Sequence, residues 1–246
     1  MHALAVAAAV MFLAAAPAFA QPSREHLDAM RHLRLGQENM HHEQWDKAEA
    51  EFQAAIKLEP TLEMAHYGLG QVYMATKRYP DAVRAYLACR DAFVSNTSRR
   101  ATNDAEAQRA LDDQIRSLED EKTLLVSGRV TAMTSGGPID LDRRISDLKA
   151  RRYHESKAMP DTPAWISIAL GSAYFRSGSM SKAEREYLEA LKADPKLGEA
   201  HNNLAVVYML TQRYAEANAE VKAAEKSGFR VNPQLKEDLK KASVRH

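Results

Sequence analysis

The chain has 246 residues and a single cysteine, Cys89, so no intrachain disulfide can hold it together. Glycine is scarce, and no glycine-rich phosphate loop, nucleophile motif or metal-ligand spacing occurs. Charge of one sign is lacking too: 34 Lys and Arg face 33 Asp and Glu, a formal net charge of +1. That excludes the basic footprint of a nucleic-acid binder and the acidic composition of a solvating tail. After residue 20 no apolar run is long enough to span a bilayer. What remains abundant is Ala, Glu, Lys, Arg and Leu, the composition of an all-helical chain with one or two domains.

The first 20 residues differ from the rest. Leu4 to Ala16 is an unbroken apolar run, followed by Pro17 and Ala18-Phe19-Ala20. The small residues at Ala18 and Ala20 fit a secretory signal peptide with its cleavage before Gln21. The n-region is atypical, with only His2 and the amino terminus as positive charge. The run is short for a membrane span and Pro17 interrupts it, so no stable insertion is expected after cleavage. No cysteine follows it to carry a lipid. The expected location is periplasmic or secreted.

One pattern then occurs four times. Leu35-Gly36 precedes Ala48, Phe52, Ala55 and Pro60; Leu69-Gly70 and Tyr73 precede Ala82, Tyr86 and Cys89. Leu170-Gly171 and Tyr174 precede Ala183, Tyr187, Ala190 and Pro195, and Leu204-Ala205 and Tyr208 precede Ala217, Val221 and Ala224. Gly36 to Gly70 and Gly171 to Ala205 are each 34 residues. Each unit reads as two amphipathic helices, A and B, joined by a turn. The small residues let A and B approach closely, an aromatic fills the gap between units, and Pro60 and Pro195 end helix B. One unit cannot bury its apolar face alone, so units stack. Cys89 falls where the other units have Ala55, Ala190 and Ala224, which marks it as a packed, inert thiol.

Over 29–96 and 164–231 the chain resembles the tetratricopeptide repeat (TPR) family, whose period and L-G-x-x-Y, A-x-x-x-F and Pro pattern these residues match. The fold class so implied is all-α: a solenoid of TPR helical hairpins in two repeat pairs. An inserted long helical hairpin and a C-terminal capping helix complete it. The segments are a signal peptide at 1–20, units one and two at 21–96, the insertion at 97–163, units three and four at 164–231, and the cap and tail at 232–246.

Within the insertion, Leu111, Ile115, Leu118 and Leu125, then Leu141, Ile145 and Leu148, recur at helical spacing. Thr134-Ser135-Gly136-Gly137-Pro138 between them is a turn composition. Asp140 is a candidate cap for the second helix, and Thr162-Pro163 a helix start. The narrow seam is coiled-coil-like. Such an arm either bridges the two pairs or projects and self-associates. Asn232-Pro233 opens the final helix, polar except for Leu235 and Leu239.

Candidate chemistry is thin. His32, His66 and His201 share one repeat position and read as packing residues; His41 and His42 are helix neighbours that point apart. No metal, cofactor or catalytic residue is assigned, and an enzyme is not expected. The resemblance implies a binding groove lined by one face of each helix A. Its positions hold Met30, Leu33, Gln37 and Met40, then Met64, Tyr67, Gln71 and Met74. In the second pair they hold Trp165, Ile168, Ser172 and Phe175, then Glu199, Asn202, Val206 and Met209. The apolar members, Met30, Leu33, Met40, Met64, Tyr67, Met74, Trp165, Ile168, Phe175 and Met209, are the candidate partner-binding residues. Some TPR domains hold acidic chaperone tails with Lys, Arg and Asn at groove positions. Here Leu33, Gln37, Tyr67, Gln71, Ile168 and Ser172 stand there, so that partner class is disfavoured. The expected partner is a protein or peptide with an apolar segment, engaged in the bacterial envelope in assembly or secretion. Nucleic acid and small-molecule substrates are not expected. The alternatives are a wall covered by the protein itself, and a self-associating scaffold with coiled-coil arms 97–163.

Overall fold

The computed structural model describes residues 23–127, 138–153 and 162–243. The expected signal peptide at 1–20 and the expected turn at Thr134–Gly137 lie outside these. Among the described residues there are ten helices and no strand. Unit one is α1 (Arg24–His41) and α2 (Trp45–Leu58), and unit two is α3 (Glu63–Ala75) with the first part of α4 (Tyr79–Val126). After α5 (Pro138–Tyr153) come α6 (Ala164–Arg176) and α7 (Met180–Ala193) as unit three. Unit four is α8 (Gly198–Leu210) and α9 (Tyr214–Lys226), and α10 (Pro233–Ser243) closes the chain.

Three of the four helix pairs are held by the same device. Sixteen residues after Gly36, Gly70 and Gly171 come Phe52, Tyr86 and Tyr187, whose rings lie flat on those glycines. A Cβ at Gly36 would stand 2.6 Å from the Phe52 ring, and one at Gly171 2.5 Å from Tyr187. Phe52 also rests on Gly68 of the next unit, so one ring joins two units. Ala48, Ala82, Ala183 and Ala217 are fully buried at the same junctions.

The turn between A and B is also repeated. Glu43, Lys77 and Gln212 have φ of 54°, 61° and 63°, and Gly178 has 80°. The next residue donates its N–H back along the chain: Gln44 to Asn39, Arg78 to Tyr73, Ser179 to Tyr174, and Arg213 to Tyr208, at 2.8–2.9 Å. This is a Schellman closure, which satisfies the last carbonyls of helix A. Only unit three uses glycine where the left-handed backbone favours it.

The expected end of helix B in unit two near Asn96 is not observed. No proline stands there, and α4 runs on without a break to Val126, 48 residues or about 72 Å. Position 97 is therefore the middle of a helix. The distal part of α4 pairs with α5, and Lys122–Asp142 (2.5 Å) and Lys149–Glu119 (2.7 Å) fix the two as antiparallel. Ile115, Leu141 and Ile145 are buried in their seam, while Leu111, Leu118, Leu125 and Leu148 are only partly covered.

Helix α1 begins at Arg24, because the Ser23 hydroxyl accepts the His26 N–H at 3.1 Å. Two other helix starts differ from expectation. Asp140 lies inside the first turn of α5 rather than capping it. Pro163, not Thr162, is the N-cap of α6, and no side-chain hydrogen bond closes that end. Asn232 does cap α10, accepting the Gln234 N–H at 2.9 Å, and Leu235 and Leu239 are buried against the solenoid.

The two repeat pairs are not separated in space. Helix α6 packs directly on α4, as α3 packs on α2 and α8 on α7, so the four units form one continuous stack and the arm leaves it sideways. Helices α1 and α3, and α6 and α8, pack against one another more closely than successive B helices do. The stack therefore curves with the A helices on its inner wall.

Candidate functional site

The join between the pairs makes the site. Tyr67 on α3 and Trp165 on α6 meet edge to face, with ring centroids 4.8 Å apart and planes at 88°. Tyr67 also leans on Tyr86 of α4, 5.5 Å away at 47°. Around these rings a cleft of about 360 Å³ opens on the inner wall. Met74, Ala164, Ile168, Ala169 and Leu197 complete its apolar lining, and Ser172, Asp194 and Glu199 supply the polar groups. The volume is that of a pocket able to take one or two side chains of a ligand. Among the described residues no arginine, lysine or histidine lines it.

Two larger clefts lie along the arm between α4 and α5. They are the shallow gaps of a loosely packed helix pair. In the first, Lys122 with Asp142 and Lys149 with Glu119 already neutralise one another.

Of the ten expected groove residues, the structure brings Tyr67, Met74, Trp165 and Ile168 to one cleft. Trp165 is 38 % exposed, an unusual state for so large an apolar side chain. Met30 and Met64 are exposed but outside the cleft. Met40, Phe175 and Met209 are half-buried against the core, and Leu33, 6 % exposed, offers a partner almost no surface. Tyr86, Asp194, Leu197 and Glu199 also form the wall. Of these, only Glu199 falls at a groove position in the repeat pattern. Tyr86 comes from a B helix and Asp194 and Leu197 from the α7–α8 junction, which positions on helix A cannot indicate.

Burial raises the Tyr67 phenol above its ordinary range, with Cys89 and Glu199 adding to it. Burial raises Tyr86 further, so both cleft phenols are neutral at physiological pH. Burial, reinforced by Glu63, pushes the Cys89 thiol up to about 12, which fits a packed residue rather than a nucleophile.

His32, His66 and His201 are polar ties rather than packing residues. The Nδ1 atoms of His32 and His201 lie 2.6 Å from the carboxylates of Glu51 and Glu220, nineteen residues on in each case. His66 and His201 also bond through Nε2 to the carbonyls of Pro60 and Pro195. Among the described residues no group of His, Cys, Asp and Glu is arranged to hold a metal ion. No helix among them is long and apolar enough to cross a membrane.

A second repeated tie was not read from the sequence. Arg78 lies 4.2 Å over the Tyr73 ring and reaches Glu49 of the preceding unit at 2.8 Å. Arg213 does the same over Tyr208, at 4.1 Å, and reaches Glu184 at 2.7 Å. The signal was the identical Glu-to-Arg offset in the two pairs.

The tetratricopeptide repeat family model matches residues 33–93 and 168–228, which are the two halves of this stack. The chain belongs to the tetratricopeptide repeat family. TPR arrays are in general non-catalytic protein-interaction folds. No curated protein matches by sequence. Among solved structures, the chain is similar to PilW, a widely conserved type IV pilus biogenesis factor. That match has 16 % identity and a TM-score of 0.41, and covers 88 % of this chain and 86 % of that one. It is similar to pilF of Pseudomonas aeruginosa at 11 % identity and a TM-score of 0.36, covering 91 % and 92 %. It is also similar to a thermophilic TPR protein of Thermus thermophilus at 20 % identity and a TM-score of 0.35, covering 88 % and 99 %. Likenesses at this level say nothing of this chain's partner.

Proposed function

We propose that the protein is a non-catalytic protein-binding module of the bacterial envelope, and that it docks an apolar segment of a partner protein in the cleft at Tyr67 and Trp165. The observation that carries this reading is the open aromatic corner where units two and three meet. An exposed Trp and a half-buried Tyr on the inner wall of a TPR stack are the amphipathic, rigid anchors that dominate binding energy at interfaces. Docking there is driven by apolar burial, at about 25 cal/mol per Å², against the ordering of the partner segment. No described residue of the arm is among the lining. The envelope assignment rests on the apolar run and the Ala18-Phe19-Ala20 motif at the amino terminus.

The test is affinity capture from envelope extract with the wild-type protein beside Tyr67→Ala, Trp165→Ala and the double variant. A partner retained by the wild type and lost from the double variant supports the groove. Equal recovery by all of them moves the binding surface elsewhere.

A second reading is favoured by the arm. Leu124 and Val126 are 42 % and 69 % exposed at the described end of α4, and the seam beside them is only partly covered. In that reading the arms of two copies pair as a coiled coil. Sedimentation velocity on the full chain and on a variant lacking the arm decides it. A concentration-independent monomer in both removes the scaffold reading.

A further inference from the structure

Four tyrosines of this protein carry a cation over the ring, and the rings at the cleft are not among them. Arg78 lies over Tyr73, Arg213 over Tyr208, Arg176 over Tyr79 at 5.2 Å, and Lys182 over Tyr174 at 5.5 Å. The three rings at the cleft, Tyr67, Tyr86 and Trp165, carry no such partner among the described residues. They are also the rings that stand at a corner, two of them at right angles, where a side chain can touch one face and the edge of another. Glu199 and Asp194 line the same cleft, and no basic residue among the described residues does. Asp194 accepts the Lys196 N–H at 3.0 Å and its charge is not otherwise neutralised among the described residues. Glu199, in the first turn of α8, has no ion-pair partner among them. Its field is felt at Tyr67, whose phenol it helps to raise after burial.

Rings, carboxylates and the lack of any base among the described lining residues together define a charge-complementary receptor. We propose that the cleft receives a lysine or arginine side chain of the docked segment, with its methylene stem on the rings of Tyr67 and Trp165 and its charge toward Glu199 and Asp194. This rests on the groove reading above and specifies its ligand: an apolar segment interrupted by one basic residue. A cation on an aromatic face gains from the ring quadrupole, and more when partly desolvated. The rim carboxylates add a salt-sensitive attraction. An acidic segment is repelled at the same place.

The probe is a random 12-residue peptide display library, selected on the intact protein. The expected outcome is enrichment of peptides with Lys or Arg at a fixed place beside apolar residues. A synthetic consensus peptide is then measured by Trp fluorescence titration. Replacing its basic residue by norleucine, or Glu199→Gln in the protein, weakens binding about threefold to tenfold. Raising the salt weakens the cationic peptide and leaves the norleucine peptide unchanged. Glu199 is exposed, so Glu199→Gln does not threaten the fold. Enriched apolar peptides with no shared basic residue, or equal affinity for wild type and Glu199→Gln, overturn the cation receptor and leave the groove standing. Consensus peptides that bind Trp165→Ala as tightly as wild type, or no enrichment at all, overturn both.

Discussion

The side chain of Gly171 is absent because the Tyr187 ring occupies its place. Gly171→Ala puts a methyl 2.5 Å from that ring, where the neighbour is an aromatic buried at 2 % exposure with nowhere to move. The expected cost is about 1–3 kcal/mol, read as a lower urea midpoint with an unchanged slope. Ala205, at the same place in unit four, faces the smaller Val221, so the substitution is harmful only where a ring follows sixteen residues later. The buried acids give a second expectation. Cys89 and Tyr187 are both held at about 12, mainly by burial, against ordinary values of 9.0 and 10.0. Raised folded values mean that the fold favours the protonated forms. Their contribution to stability is complete below about pH 9 and is lost as pH rises toward about 12. Urea unfolding across about pH 8 to 12 should show a plateau and then a decline. Cys89→Ala, which restores the residue of the other three units, should delay the onset from about pH 9 to about pH 10. A stability that stays flat to about pH 12 contradicts this.

At the scale of helices, units two and three are joined by Arg90 on α4 and Glu186 on α7. Arg90 Nη1 donates to both carboxylate oxygens at 3.2 Å, and Glu186 is 2 % exposed. Removing the cation strands a buried charge, so Arg90→Met should cost roughly 3 kcal/mol. Glu186→Gln leaves Arg90 able to reach water and should cost about 1–2 kcal/mol. Thermal unfolding of the two variants tests the order. The helix pairs themselves were legible in the sequence, because the 34-residue period and the small-residue positions are local. The extent of α4 was legible only to about Asn96: the repeat pattern stops there, whereas the helix continues on a different seam. Helix starts are misleading in the sequence where a polar residue near the right place, Asp140 or Thr162, resembles a cap without being one.

For the molecule as a whole, the arm is an excursion from a continuous stack. Joining α4 near Asn96 to α6 by a short flexible linker should leave the four units folded, with cooperative unfolding and the Tyr67–Trp165 contact intact. Fluorescence of Trp165 in a Trp45→Phe background reports that contact. A variant that unfolds in two separate steps would show that the arm, not α4–α6 packing, holds the pairs together. Part of the candidate site was legible as well. Helix A positions indicated Tyr67, Met74, Trp165 and Ile168, and Glu199 stood at a groove position. The meeting of Tyr67 with Trp165 spans the insertion and depends on α6 packing on α4. No local spacing encodes that contact, nor the placement of Tyr86 and Asp194 beside it.

The central claim is that partners dock on the inner wall at this corner. The most direct measurement is photo-crosslinking in host cells with p-benzoylphenylalanine in place of Trp165, beside the same substitution at Leu188, an exposed residue of the outer helix α7. The account predicts a discrete adduct with a second protein from position 165 and none from position 188. An adduct from position 188 alone, or from the arm at Val126 with none at 165, contradicts it.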